Sequence, residues 1–227
     1  MRGASRTWLG LLAILVSVVV FLVPFAFIVL TAVKGRQEAS LLQFSWPDKF
    51  ALVDNIQQVV AARDYMLLTA FVNSTVLTVV SVSLMVILAA MVGFVLQRRR
   101  SRWKKLVNLL VLSGLIIPPA VVPTIWVLQG LSLFDTLPGL ILVEVAFGLS
   151  FSILLFQAFF ATVPRELDEA AVIDGASPLR LFFQVVFPLL RPVTVTVIVV
   201  QSVHVFNDFV HPLYFTPGEE NATVQLT

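Results

Sequence analysis

The stretch Leu67–Lys105, LLTAFVNSTVLTVVSVSLMVILAAMVGFVLQRRRSRWKK, runs for thirty residues without a charge and then places six basic residues in the next nine. About 20 mainly apolar residues suffice for a helix to cross the hydrocarbon core of a bilayer. A barrel strand would alternate apolar and polar residues with period two, and this run does not. Since every backbone polar group in lipid needs an internal partner, the run is read as a membrane-spanning helix. The basic cluster that closes it marks one side of the membrane.

Four further apolar stretches meet the same length, Trp8–Val33, Leu106–Leu128, Leu137–Val163 and Pro192–Phe215, so the fold class is an all-α, polytopic helical membrane protein with five spans. Composition agrees: 59% hydrophobic, 12% charged, mean hydropathy +0.98. An ordinary soluble domain carries about 25% charged residues. A net charge of +2 is too small to argue for nucleic acid as a partner. With no cysteine, disulfides, thiolate nucleophiles and Cys-ligated metals are excluded. The N-terminus has the basic start of a signal peptide, but its apolar run exceeds the roughly 7–15 residues of a signal h-region and lacks a clear small-x-small cleavage site. It reads as a retained first span.

Loops enriched in Lys and Arg face the cytoplasm. Arg2 and Arg6 precede the first span; Arg98, Arg99, Arg100, Arg102, Lys104 and Lys105 follow the second; Arg165, Arg180 and Arg191 lie between the fourth and fifth. Eleven of the fifteen basic residues thus fall on one side. Lys34, Arg36, Lys49 and Arg63 share the first opposite loop with Glu38, Asp48, Asp54 and Asp64. The N-terminus is expected in the cytoplasm, and QRRRSRWKK is read as a topology anchor, with a lipid-headgroup site as the alternative. Residues 1–66 form an N-terminal span and external loop. Residues 67–227 form a core carrying a cytoplasmic loop at 164–192. Five crossings end outside, an odd count that leads us to expect a sixth span absent from this chain. The Asn-Ala-Thr tripeptide at Asn221 matches a glycosylation sequon but carries no weight.

Pro164–Pro192 is too polar at its start to enter lipid. Pro164 suits a helix start, and Glu166, Asp168 and Glu169 complement the helix dipole. Gly175 offers the left-handed conformation that ends a helix; Ser177 then caps, and Pro178 starts, a second helix reaching Pro188. Ala170 and Ala171 let another surface approach the first helix, Leu167 and Ile173 add apolar contact, and Glu169 and Asp174 can accept hydrogen bonds. These features describe a docking knob. The alternative is an interfacial helix lying on lipid, which four acids facing an anionic leaflet argue against.

The run EAAVIDGASPLRLFFQVVFPLLRP resembles the Glu-Ala-Ala loop of ABC importer permeases, matching at Glu169, Ala170, Ala171, Asp174, Gly175, Ala176, Phe182, Pro188 and Pro192. LFDTLPGLIL from Leu133, Asn-Ser at Asn73 and FNDFVHPLYF after the loop are similar to the sugar-importer branch, the second permease of maltose-type systems. Family members usually have the sixth span, and a tryptophan is common where this chain has Phe206. The resemblance implies a type I ABC importer transmembrane fold in a bacterial or archaeal cell (inner) membrane. It also implies coupling to ATPase through the loop residues above, with ATP and magnesium bound by two partner ATPase subunits. Further implied partners are a homologous permease subunit, an extracytoplasmic solute-binding protein, membrane lipid and a sugar or oligosaccharide substrate. The chain itself has no G-x-x-x-x-G-K-[ST] loop, so energy must come from a partner, and a transport subunit rather than an enzyme is expected, without cofactor or metal of its own.

Ionisable groups at bilayer depth cost about 2.5–3.5 kcal/mol each on insertion scales, so they tend to face a bundle interior or wet cavity. Gln201, His204, Asn207, Asp208 and His211 in the fifth span recur at steps of three and four, which puts them on one helical face. That face is a candidate lining for the solute path, since sugars need donors and acceptors. A metal site of His204, Asp208 and His211 and a purely structural role remain open beside it. Glu144 is a candidate pathway acceptor, proton carrier, or partner to a polar group on a neighbouring helix. Pro118, Pro119 and Pro123 interrupt the third span and should kink it. Rival functions are an ion-gradient-driven secondary transporter with Glu144 or Asp208 as carrier, an ABC permease for a non-sugar solute, and a structural subunit. An intramembrane enzyme is disfavoured, because no Ser–His or paired-Asp arrangement emerges.

Overall fold

The computed structural model describes residues 2–99 and 102–227; Arg100 of the basic run, and the side chains of Arg2 and Arg6, lie outside the described residues. All regular structure among the described residues is helical. The chain forms two compact units, Met1–Leu67 and Leu68–Thr227.

In the first unit, α1 (Arg2–Ala32) is followed by the short α2 (Arg36–Ala39) and the amphipathic α3 (Leu52–Ala61). Gly10–Ala32 is apolar over 23 residues, long enough to cross a bilayer. The loop beyond α1 is not simply solvated. Lys34 is 1% exposed, and its ammonium donates to Gln43 O (2.9 Å) and Ser45 Oγ (2.8 Å) beside Glu38. Asn55 of α3 donates to Ala32 O and Lys34 O, tying α3 back to the end of α1.

The second unit is built on α4 (Met66–Arg98) and α7 (Leu137–Phe160), both long and apolar enough to span. In lipid, helices associate through close packing rather than the hydrophobic effect, which favours small residues at the contact. Gly93 of α4 lies where an added Cβ would be 3.1 Å from Phe156 Cβ, and Gly148 of α7 where it would be 2.7 Å from Met85 Sδ. Ala70, Ser74, Ser81, Ala89 and Ala90 are the other small residues on the buried face of α4, set among Leu77, Val82, Met85, Val86 and Leu96.

Two expected spans are broken. The third consists of α5 (Lys104–Ile116) and α6 (Val121–Gly130), bent by 115° at Ile117–Ala120. Pro118 and Pro119 supply no N–H groups, so no α ladder can pass through them. Pro123 sits within the first turn of α6, where its missing donor costs little. The fifth span is α11 (Arg191–Phe206), which ends at Asn207; a separate α12 (Val210–Phe215) follows. Here Asp208 Oδ1 takes the N–H groups of Val210 (2.8 Å) and His211 (3.3 Å), capping the new helix and stabilising the break. Counting α5 with α6, and the segment Pro178–Leu189 with α11, as one crossing each, up to five helices or helix pairs suit a membrane by length and composition.

Between α7 and α11 lie α8 (Glu166–Ile173), α9 (Pro178–Arg180), a π-helical turn (Leu181–Val186) and α10 (Phe187–Leu189). The segment Pro178–Leu189 meets α11 at 78°. Pro188 has no N–H to return to Gln184 O, which fits a local departure from α geometry.

Candidate functional site

The loop after α7 has the shape its sequence requires. α8 starts at Glu166, two residues later than Pro164, and holds Glu166, Asp168 and Glu169 in its first turn. It closes with Ala176 N–H donating to Ala171 O and Gly175 N–H to Val172 O, both 3.0 Å, the paired bonds of a glycine-ended helix. Gly175 has φ +78°, while an added Cβ would meet nothing within 4 Å. Backbone conformation, not space, therefore calls for glycine. Ser177 Oγ accepts from Arg180 N–H, and Pro178 takes the first helical position of α9.

One expectation needs correction. Ala170 is exposed but Ala171 is only 8% exposed and packs into the chain's own core, because α8 lies against the π-helical turn. The outward face is Ala170 with Glu169 and Asp174, and its tip is apolar: Ile173 is 85% exposed, flanked by Val172 and Leu179. Phe182 points inward at 3% exposure, packed edge-on against Phe183 and tilted against Phe94 of α4 and Phe187, so it is held within the chain's own core. Pro188 is exposed on α10.

A latch missed by the sequence reading holds the loop's base. Arg98, at the end of α4, donates to Val163 O (3.0 Å) and Pro164 O (3.3 Å), and its Nε lies 2.6 Å from Asp168 Oδ2. Arg165 donates in return to Gln97 O at 3.2 Å. Burial pushes the Asp168 carboxyl above its ordinary range, against the opposing pull of Arg98 and Arg165. In the sequence these arginines read only as topology charges; nothing in their spacing discloses the pairing.

At the other end of α7, Glu144, Asp208 and His211 form a buried cluster. Glu144 is 1% exposed, and its Oε1 lies 3.0 Å from His211 Nδ1, which is also 2.5 Å from Asp208 Oδ2. An Nδ1 lone pair facing two carboxylates would be repelled, so Nδ1 carries the proton and donates. Phe147 stacks on the imidazole at 5.1 Å, closing the site on its apolar side. Glu144 is thus paired across helices. The three groups could ligate a metal by type and proximity, but the hydrogen-bonded histidine accounts for the geometry. His204, the third ligand of the sequence-derived metal reading, is exposed and outside the cluster.

The break at Asn207 also dissolves the single polar face expected along a continuous fifth span. Gln201 is buried, donating to Gly148 O (3.0 Å) and Ser152 Oγ (2.9 Å) and thereby clamping α11 to α7. His204 and Asn207 are exposed beside the break, and Asn207 donates back to Val203 O. An apolar groove of about 460 Å³ between α4 and α11 has only Ser83, Thr194 and Ser202 as polar lining, an unsuitable bed for a hydroxyl-rich solute. The C-terminal segment is stitched down by Asn73, which donates to Glu220 O and Ala222 O, and by Asp135, whose backbone oxygen accepts from Asn221 and whose carboxylate accepts from Gly218 N–H.

Residues 85–227 match the family model described as binding-protein-dependent transport system inner membrane component. The chain belongs to this family. It is 35% identical over 211 residues to the diacetylchitobiose uptake system permease protein NgcG of Streptomyces coelicolor, covering 92% of this chain and 68% of that one. Against the melibiose/raffinose/stachyose import permease protein MelC of Bacillus subtilis it is 28% identical, covering 99% and 82% respectively. A crystal structure of a bacterial ABC transporter involved in import of the acidic polysaccharide alginate shares the fold, with a TM-score of 0.82 at 19% identity, covering 99% of this chain and 79% of that one. The protein is a multi-pass membrane permease of binding-protein-dependent ABC transport, and an ion-gradient-driven carrier is not favoured.

Proposed function

We propose that this permease imports a sugar or oligosaccharide, forming half of a translocation pathway with a homologous permease subunit and taking its energy from two ATPase subunits. The observation that carries the coupling role is the α8 knob: an exposed apolar tip with Glu169 and Asp174 beside it, mounted on a base locked to α4 by Arg98 and Arg165. A tip that mates with a neighbour transmits displacement only if its base cannot slide. The carbohydrate assignment is supported by the relatives' substrates, diacetylchitobiose for NgcG and melibiose, raffinose and stachyose for MelC.

The ATPase subunits bind ATP and magnesium, close, and draw the two loops together. Movement passes through Phe182 to Phe94 on α4 and through α9 and α10 to α11. The pathway then opens to the outside, where a solute-binding protein delivers cargo. The N-terminus lies in the cytoplasm, with eleven of fifteen basic residues on that side. His204 and Asn207, exposed beside the α11 break, are offered as pathway residues; Glu144 and Asp208 act there by holding His211 and the break itself.

The test is reconstitution of the assembled complex in vesicles with its binding protein. ATP-dependent uptake of labelled oligosaccharides, with ATPase stimulation by the loaded binding protein, is the expected result. Uptake that follows a proton gradient and ignores ATP would overturn it.

A further inference from the structure

Two adjoining pockets meet where the second span ends, and their linings differ sharply. One, of about 650 Å³, is lined by Arg98, Arg99, Arg102, Lys104, Lys105 and Arg165, with Gln97 and Asn108 as the remaining contributors among the described residues; of the six cations Arg98 is already paired with Asp168. The other, of about 700 Å³, shares Arg102 and Lys105 but is otherwise built from the exposed Trp103, just before α5, and the exposed Leu106 and Leu109 on its first turns. Arg102 lies over the Trp103 ring at 5.8 Å, which places a cation at the seam between the two. α5 begins at Lys104, so the positive end of its dipole adds to the same field.

We infer that these two pockets are one binding site for an anionic phospholipid, the phosphate headgroup among the cations that Asp168 does not engage and an acyl chain along Trp103, Leu106 and Leu109. A topology anchor needs only charge near the interface; it needs neither a concave basic pocket nor an apolar groove continuous with it. A free phosphate would use the first pocket and leave the second without purpose. The headgroup end is shared with Arg98 and Arg165, the residues that latch the coupling loop, so bound lipid sits against the base of α8.

The experiment uses the assembled transporter in nanodiscs, with Trp8, Trp46 and Trp126 of this chain and the tryptophans of its partners replaced by Phe so that Trp103 alone reports. Brominated phosphatidylglycerol or cardiolipin should quench Trp103 several-fold more than brominated phosphatidylcholine. Arg102→Gln with Lys105→Gln should weaken that preference by roughly fivefold per charge removed. Arg102→Lys with Lys105→Arg should retain it, separating charge from folding. Quenching that is equal for the zwitterionic lipid, or unchanged in the Gln variant, would overturn the proposal. So would complete loss of the preference in excess inorganic phosphate, which would assign the pocket to a free anion.

Discussion

At Gly175 the chain needs a backbone angle, not a gap. With φ at +78° and open space around the missing Cβ, Gly175→Ala should cost about 1–2 kcal/mol in α8 ordering purely through left-handed strain. Gly175→Asn should cost less, because Asn tolerates that region, and Gly175→Val more. The ratio of ATP hydrolysed to solute imported, measured for the series, should rise in the order Gly, Asn, Ala, Val; equal ratios would show that the turn is not a coupling element. The Glu144–His211 pair sets a different test. Removing one member of a buried pair costs up to about 3–5 kcal/mol when the other is left uncompensated, and less here because Asp208 still faces His211 Nδ1. Glu144→Ala should therefore lower thermal stability in detergent more than Glu144→Gln, and Glu144→Gln with His211→Gln should recover part of the loss. A double-mutant cycle showing no coupling would remove the pair from the account.

Among the elements, much of the loop was legible because its signals are local. Three early acids, a glycine and a Ser-Pro pair each act within a turn, and the first turn of α8, its glycine end and the Ser177 cap follow from them, whereas Pro164 lies two residues before the helix. The inward turn of Ala171 was not legible, since it depends on which face of α8 meets the π-helical turn. Likewise Gln201 and His211 read as one polar face because a helical period was assumed to continue, while the break at Asn207 is enforced by Asp208 capping residues beyond it. Nothing in the sequence placed Arg98 against Asp168, which lie seventy positions apart. The packing of α4 on α7 yields its own prediction. A methyl at Gly148 would meet the flexible end of Met85 and, at 3.2 Å, the Gln201 amide nitrogen, whereas Gly93 faces the Cβ and backbone of Phe156 and Gln157. Gly148→Ala should be tolerated with a modest loss of melting temperature, and Gly93→Val should cost more, because Met85 can move and a helix backbone cannot. The reverse order would contradict this packing.

For the whole molecule, the coupling loop is informative because it offers two adjacent alanines with opposite fates. Ala170 is exposed on α8 and Ala171 is buried in the same chain. If ATPase subunits seat on the outward face, a cysteine introduced at 170 should crosslink to an ATPase subunit in intact cells, and one at 171 should react poorly and destabilise the loop. Glu169→Lys reverses a charge on that same face without touching the latch at Arg98, so the complex should insert and assemble while uptake falls at least tenfold. Normal uptake by Glu169→Lys at wild-type expression would end the coupling role of this face. Strong capture at 171 with none at 170 would place the partner on the opposite side of α8, and the direction of force through Phe182 and Phe94 into α4 would have to be redrawn.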